Sequence, residues 1–266
     1  MTSATTSAPS RQPAGEVTIK DVSKLFQGTK GSLVWALRDV NITCAAGEFI
    51  SLIGPSGCGK STLLNMVAGF EHPTTGSIKV NGTEMRSPGP DRGFVFQEYA
   101  IFPWLTAVDN VRFGLRGRGL KKREQLDRAH ALLKLVDLGN SAEKYPHELS
   151  GGMQQRVAIA RALSLEPGVL LMDEPFGALD AQTRGTMQYE LVKIWMVTQK
   201  TVMFVTHSVE EAVLLSDRIV VLVGRPGRIS EAVTVALKRP RDVTSAEFGE
   251  VRRYVSNLLL RDSPPD

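Results

Sequence analysis

The stretch that decides the fold is residues 49–62, where a short apolar run leads directly into a glycine-rich loop. It reads Phe49-Ile50-Ser51-Leu52-Ile53-Gly54-Pro55-Ser56-Gly57-Cys58-Gly59-Lys60-Ser61-Thr62. The loop matches the pattern G-x-x-x-x-G-K-[ST]. A buried-strand pattern precedes it, and a helix pattern, Thr62 to Ala68, follows it. This order predicts a phosphate-binding loop between a buried strand and the N-terminus of a helix.

The chemistry of this loop follows from its glycines and its polar residues. Glycine allows the backbone to curl until successive N–H groups point inward at phosphate oxygens, and the start of the helix adds its positive end. We expect Lys60 to reach the β- and γ-phosphates of a nucleotide and the Ser61 hydroxyl to bind Mg²⁺. The predicted nucleotide-binding residues are Gly54, Pro55, Ser56, Gly57, Cys58, Gly59, Lys60, Ser61 and Thr62.

Cys58 lies inside this loop, at a helix N-terminus, a position that in general lowers the pKa of a thiol. One hypothesis is that alkylation of Cys58 blocks nucleotide binding by bulk alone. The alternative is that Cys58 is a small filler residue. Cys44 is the other cysteine of the chain, and two cysteines do not form a disulfide framework, so a reducing compartment fits.

A second candidate site lies where another apolar run ends in two acids. Val169 to Met172 is followed by Asp173 and Glu174, and open α/β sheets bind ligands at the carboxyl ends of their strands. We expect Asp173 to hold Mg²⁺, directly or through water. Glu174 is expected to orient or deprotonate the attacking water.

The remaining patterns predict an α/β fold with a mostly parallel sheet, because apolar runs alternate with helical patterns. Further buried-strand candidates are 94–96, 169–172 and 202–205, and amphipathic helices are predicted over 123–136 and 151–163. Three more strand candidates, 17–22, 40–43 and 77–80, predict a small antiparallel sheet near the N-terminus. Short strands return after Ile219, and a helix over 245–260 ends the chain.

Composition limits the classes of protein. The chain has 266 residues, of which 42% are hydrophobic and 23% charged, with a formal net charge of +4. These values are ordinary for a globular protein and lack the basic stripe typical of a nucleic-acid binder. The sequence contains no run of about 18 apolar residues, so it predicts no membrane span.

The sequence also predicts how the chain is divided. We predict a flexible tail over 1–15, a catalytic domain over 17–247 with a helical subdomain at about 98–165, and a C-terminal helix and tail over 248–266.

The motif Leu149-Ser150-Gly151-Gly152-Met153-Gln154-Gln155-Arg156 indicates the family. By physical reasoning alone it is a helix N-terminus capped by Ser150, with backbone N–H groups free to bind an anion. It resembles the signature motif of ATP-binding cassette proteins, and the resemblance extends over 17–239. It implies a P-loop NTPase core and two subunits, identical or paired, that face head to tail around two ATP molecules. Ser150, Gly151, Gly152 and Gln154 would then contact the nucleotide held by the partner.

Other stretches resemble further family motifs in the expected order. Gln97 is similar to the Q-loop glutamine, which contacts Mg²⁺ and water, and Asp180 in Ala178-Leu179-Asp180 is similar to the D-loop aspartate. His207 resembles the switch histidine that contacts the γ-phosphate. Phe26 resembles the aromatic residue that stacks on adenine, and Trp35 is an alternative for that role. The resemblance therefore implies Glu174, His207, Lys60 and Gln97 as catalytic residues, with Ser61, Gln97 and Asp173 as metal ligands.

Two segments, 97–106 and 224–229, together with the C-terminal stretch 238–260, resemble the ATPases of nitrate, sulfonate and taurine importers. This resemblance implies ATP hydrolysis on the cytoplasmic face of the cell membrane. The implied partners are transmembrane permease subunits and, indirectly, a periplasmic or lipoprotein substrate-binding protein, with no nucleic acid. The alternatives are a stand-alone cassette of an exporter and a soluble cassette ATPase that acts on nucleic acid or the ribosome.

Overall fold

The computed structural model describes residues 15–28 and 31–261. All but the last residue of the predicted flexible tail, 1–15, lies outside the described residues, as do the final five residues of the predicted C-terminal tail. In chain order the strands are β1 (Val17–Gln27), β2 (Leu33–Cys44), β3 (Phe49–Ile53), β4 (Thr75–Val80), β5 (Thr83–Glu84), β6 (Arg92–Val95), β7 (Val169–Asp173), β8 (Thr201–Thr206), β9 (Arg218–Val223) and β10 (Arg228–Thr234). The α-helices are α1 (Lys60–Ala68), α2 (Ala107–Gly114), α3 (Lys122–Leu135), α4 (Gly151–Ser164), α5 (Ala181–Thr198), α6 (Val209–Leu215) and α7 (Ala246–Arg261).

The central sheet has six strands in the order β10-β9-β3-β8-β7-β6. Every pairing within it is parallel except that of β10 with β9. All residues of β3 and β8 are buried, as expected for strands covered on both faces. The mostly parallel α/β sheet predicted from the apolar runs is confirmed.

A second sheet of four strands, in the order β2-β1-β4-β5, forms the predicted antiparallel part near the N-terminus. Its inner residues, such as Ile19, Ile42 and Ile78, pack in one buried cluster with α1 and one face of the central sheet. β1 and β2 are longer than the predicted strands because the pairing continues through irregularities in register as far as Gln27 and Leu33. The antiparallel sheet therefore lies beside the phosphate-binding loop.

The region predicted to be mostly helical, 98–165, contains α2, α3 and α4, but residues 98–106 form no helix. The side chain of Asn110 instead holds this segment in an extended turn. It accepts a hydrogen bond from the Phe102 N–H (2.8 Å) and donates to the carbonyls of Phe102 (3.1 Å) and Leu105 (3.1 Å). Pro103 also lacks the N–H that a helix interior needs. Residues 98–106 are thus the non-helical start of a region that is otherwise mostly helical.

The C-terminal part packs α7 against α6 through the buried side chains of Phe248, Val255 and Leu258. α7 corresponds to the predicted helix over 245–260. Arg241, itself buried, donates to the carbonyls of Val213 (2.6 Å) and Ser216 (2.7 Å) and so ties this segment to α6. Within residues 15–28 and 31–261, no helix combines the length and apolar character needed to cross a bilayer.

Candidate functional site

The site forms where three neighbouring parallel strands end. β3, β8 and β7 lie side by side in the central sheet, so the loops that follow them share one edge. β3 leads into the phosphate-binding loop, β7 leads into Glu174, and β8 leads into His207. Residues that are far apart in the sequence and were predicted for the site are thereby brought together.

The phosphate-binding loop encloses a cavity of about 240 Å³. Its lining residues are Ala36, Ser56, Gly57, Gly59, Lys60, Ser61, Thr62 and Glu174. The Lys60 side chain is nearly buried, at 6% exposure, and its ammonium donates to the carbonyls of Gly54 (2.8 Å) and Pro55 (3.2 Å). A fixed ammonium group thus lies within the loop, where it can attract the phosphates of a nucleotide.

Two of the predicted magnesium ligands meet at this edge. The Ser61 hydroxyl donates to the Asp173 carboxylate at 2.9 Å. Burial raises the pKa of Asp173, while the hydrogen bond from Ser61 works in the opposite direction. A hydroxyl and a carboxylate oxygen fit Mg²⁺, which prefers oxygen ligands and fills its other positions with water and phosphate. Gln97, the third predicted ligand, lies near Glu174: a β-carbon added to Gly177 would be 3.6 Å from the Gln97 amide nitrogen and 4.0 Å from the Glu174 β-carbon.

Glu174 and His207 form a pair beside the cavity. His207 Nδ1 lies 3.1 Å from Glu174 Oε2, with the two side chains 63% and 24% exposed. The backbone at Glu174 has a positive φ of 42°, and its N–H donates to the Val205 carbonyl at 3.0 Å. This backbone conformation turns the carboxylate away from the strand direction. A carboxylate at this position can orient a water molecule or accept its proton.

The glycine-rich start of α4 is a separate structure. Ser150 caps the helix, since its hydroxyl accepts a hydrogen bond from the Met153 N–H at 3.3 Å. The Gln154 amide donates to the carbonyls of Pro146 (3.0 Å) and Leu149 (3.2 Å), so it braces the preceding turn. In the described chain neither these two residues nor Gly151 and Gly152 line the cavity at the phosphate-binding loop.

Asp180 is the N-cap of α5. Its carboxylate accepts hydrogen bonds from the N–H groups of Gln182 (3.1 Å) and Thr183 (3.0 Å). Hydrogen bonds from the side chain and backbone of Thr183 hold the pKa of Asp180 below its usual value. The residue is exposed, and with its pKa lowered the carboxylate is charged at neutral pH.

The two candidates for adenine stacking lie on adjacent strands. Phe26 on β1 is about one-third exposed, with the Lys24 ammonium 4.7 Å from its ring centre. Trp35 on β2 lies under the Arg38 guanidinium, also at 4.7 Å. Both are near the strand β2 that supplies Ala36 to the cavity, and either ring stays a candidate.

Two contacts at the site were not predicted from the sequence. Ala36 lines the phosphate cavity because β2 crosses in front of Gly59. The Tyr99 hydroxyl lies so near Gly151 that a β-carbon there would be 2.8 Å from it, and Leu179 would be 3.4 Å away. Tyr99 lies two residues after Gln97 in the chain. This closeness to a predicted site residue is the sequence signal that could have identified it. Three segments predicted to be functional therefore meet at Gly151.

Cys58 differs from the expectation for a thiol at a helix N-terminus. Its side chain is fully buried, and burial raises its pKa, although the charge of Lys60 works in the opposite direction. Desolvation disfavours the thiolate more strongly than the helix start favours it. This outcome is the one expected for a small filler residue. Cys44 and Cys58 are both free thiols.

An apolar groove of about 500 Å³ opens beside the segment 96–102. Its lining residues are Phe94, Phe96, Ala100, Phe102, Phe113, Gly114, Arg116, Arg161, Ala162 and Leu165. The Arg161 guanidinium lies 5.2 Å from the centre of the Phe102 ring, and burial lowers the pKa of this guanidinium. No carboxylate of the described residues pairs with it. The groove thus combines apolar walls with a partly buried positive charge.

Comparison with known proteins identifies close relatives. The family described as ABC transporter matches residues 37–177. The chain is 47% identical over 250 residues to a nitrate import ATP-binding protein of Synechocystis sp., covering 91% of this chain and 94% of that one. It is 46% identical over 262 residues to a bicarbonate transport ATP-binding protein of the same organism, covering 96% and 93%. A solved ATP-binding cassette, a dimer in a post-hydrolysis state with ADP and Pi, is 35% identical, with a TM-score of 0.72 over 84% of this chain and all of that chain.

Proposed function

The chain belongs to the ABC transporter family and hydrolyses ATP, and we propose that it does so as the ATP-binding subunit of an importer. In this role it couples hydrolysis to the uptake of a small solute through a separate membrane permease. The observation that carries the proposal is the apolar groove with its unpaired Arg161, which lies directly beside the segment that follows Gln97. The site residues bind and hydrolyse ATP. The groove is the surface where a partner in the membrane binds and responds to that hydrolysis.

The residues at the strand ends divide the work on ATP. Lys60 and the loop N–H groups bind the phosphates and hold them in position. Glu174 orients the attacking water or takes its proton, and His207 holds the Glu174 carboxylate and contacts the γ-phosphate. Ser61, Asp173 and Gln97 would hold Mg²⁺, which would supply positive charge to the phosphates.

A second cassette completes each nucleotide site. Ser150, Gly151 and Gly152 present a capped helix N-terminus that contacts nothing in the phosphate cavity of their own chain, and such a start binds anions. We propose that it meets the γ-phosphate held by another copy, or by a paired cassette, with Gln154 bracing the loop and Asp180 lying at the same interface. The dimeric state of the solved relative supports this arrangement.

The permease contacts the groove, which places the chain at the cytoplasmic face of the cell membrane as a peripheral subunit. Apolar walls favour an apolar helix face, and the lone guanidinium of Arg161 favours a carboxylate on that helix. The solute is a small molecule such as nitrate, a sulfonate or taurine, delivered by a periplasmic or lipoprotein binding protein. The names of the two relatives, which specify nitrate and bicarbonate, support a small anion.

The test is the ATPase rate of the chain in liposomes with candidate permeases and their loaded binding proteins. We expect one combination to raise the rate and thereby identify the solute. A rate that ignores every permease but responds to nucleic acid or ribosomes would overturn the importer role. A rate that rises with a permease and no binding protein would indicate export.

A pair of matched variants ties the stimulation to the groove. Phe113, in the groove, and Tyr189, on α5, are exposed to similar extents. Phe113→Ser should reduce permease stimulation and leave the basal ATPase rate unchanged. Tyr189→Ser should change neither. If the permease stimulated both variants equally, the groove would be excluded as its contact surface.

A further inference from the structure

The turn formed by residues 224–227 contacts the phosphate-binding loop directly. The Gly227 N–H donates to the Ala36 carbonyl at 2.9 Å, and the Arg38 N–H donates to the Gly227 carbonyl at 3.0 Å. A β-carbon at Gly227 would lie 1.8 Å from the carbonyl oxygen of Cys58. Only glycine permits this approach. The turn is therefore fixed between β2 and the backbone of the phosphate-binding loop.

Arg225, at the tip of this turn, reaches over the loop. Its Nη2 donates to the Ser56 carbonyl at 2.6 Å. Its guanidinium also lies against Gly57, the residue after Ser56. A β-carbon at Gly57 would be 3.0 Å from Arg225 Nη2 and 3.1 Å from both Cζ and Nε. Ser56 and Gly57 both line the phosphate cavity. Arg225 thus contacts the outside of a loop whose inside faces the nucleotide.

We propose that Arg225 is a positioning residue for ATP, acting through the peptide bond between Ser56 and Gly57. A trans peptide is planar, so its C=O and N–H groups point in opposite directions. The hydrogen bond from Arg225 fixes the Ser56 carbonyl on the outer side. The Gly57 N–H of the same peptide is thereby turned to the inner side, toward the phosphates, in a backbone with φ of 82° that glycine adopts without strain.

The proposal rests on the phosphate-binding role of the loop. It adds that tight binding of ATP also requires Arg225, which lies 169 positions after Ser56 in the chain. Without Arg225 the peptide is free to rotate before ATP binds, and ordering it then costs part of the binding free energy. Arg225 contacts Ser56 and Gly57 in the phosphate-binding loop, and none of its contacts is with Glu174. Its loss should therefore weaken ATP binding more than it slows the chemical step.

The experiment compares Arg225→Met with Arg228→Met. Both remove one exposed arginine from the same turn region, but the structure gives Arg228 no contact with the phosphate-binding loop. Equilibrium binding of ATP and the steady-state KM and kcat are measured on the full chain. We expect Arg225→Met to raise Kd and KM about tenfold, as for loss of a hydrogen bond from a charged group, with kcat within about twofold. Arg228→Met should match the wild type.

Arg225→Lys provides the second variant, because it keeps a charged donor at this position. It should recover most of the lost affinity. Three results would overturn the proposal: equal ATP affinities of Arg225→Met and Arg228→Met, a fall in kcat at unchanged KM, or an affinity of Arg225→Lys as poor as that of Arg225→Met. Unchanged ATP affinity in Lys60→Ala would instead refute the phosphate-binding role of the loop itself, so the two failures are distinguishable.

Discussion

Two glycine-rich helix starts lie in the part of the chain that the structure describes, at α1 and at α4, and the proposed catalytic groups surround only the first. The start of α1 follows Gly59, which has no capping side chain, and lies beside Lys60, Asp173 and Glu174. The start of α4 is capped by its own residue, Ser150, and lies outside the phosphate cavity. Both can bind an anion. This difference is the one expected if, as proposed, one chain holds one side of the phosphates and a partner holds the other side.

The largest effect should come from the cation at α1. Lys60→Ala removes the ammonium that lies inside the phosphate-binding loop, and we expect ATP affinity to fall about 100-fold or more. Equilibrium binding of ATP is the measurement. Lys134→Ala, on the exposed face of α3, is the matched control and should bind ATP normally. Unchanged affinity in Lys60→Ala would contradict the role of the loop.

The next effect should come from the carboxylate that follows β7. Glu174→Gln keeps the shape of the side chain but removes its basicity, so hydrolysis should slow about 100-fold or more while ATP affinity stays near that of the wild type. The variant should also accumulate as an ATP-bound dimer, which light scattering detects. Brisk turnover in Glu174→Gln would exclude Glu174 as the residue that handles the water.

A smaller effect should come from the start of α4. Gly151→Ala places a methyl group 2.8 Å from the Tyr99 hydroxyl, so either the helix start or the segment after Gln97 has to shift. We expect the ATPase rate to fall about tenfold with ATP affinity unchanged. Tyr99→Phe removes the clashing oxygen, and the double variant should regain most of the rate.

Gly249→Ala is the control for this pair, because Gly249 is also helical and has open space around it. Its rate should be normal. A double variant as slow as Gly151→Ala alone would show that the contact with Tyr99 does not limit activity. In that case the glycine itself would be needed at the contact with the partner.

The smallest effect concerns Cys58. Burial raises its thiol pKa, and the thiolate is the species that reacts, so alkylation of the native chain at pH 7 should be slow. The measurement is labelling of a Cys44→Ser variant with iodoacetamide, followed by mass spectrometry, with and without denaturant. Labelling should be fast only after unfolding. Rapid labelling of the native chain, prevented by ATP, would support the reactive thiol instead.

Local patterns predicted the parts of the fold that depend on neighbours in sequence. The apolar run of β3 and the glycines after it predict a strand and a turn wherever they occur, and the same holds for the helix pattern of α4. Residues 98–106 lie in the region predicted to be mostly helical, but they form no helix. The side chain that holds them extended, Asn110, lies in the following helix.

The parts of the site that the sequence did not predict depend on contacts between distant segments. The pKa of Cys58 is raised by burial of its side chain in the cluster formed with residues of β2, α1 and β9, which no pattern at residue 58 reveals. The hydrogen bond from Arg225 to Ser56 joins two loops that are 169 residues apart in the sequence. The choice between Phe26 and Trp35 also stays open, because both rings are on strands beside the cavity.

In the proposed dimer, each ATP lies between the α1 start of one chain and the α4 start of another. Mixing two inactive variants tests this arrangement directly. Lys60→Ala keeps the α4 start, and Ser150→Phe, a bulky change at an exposed residue, keeps the phosphate-binding loop. A mixed pair contains one site in which both parts are intact. We predict that the ATPase rate of the mixture exceeds the sum of the separate rates. A mixture that gives only that sum, or a Ser150→Phe variant as active as the wild type on its own, would show that ATP does not lie between two chains.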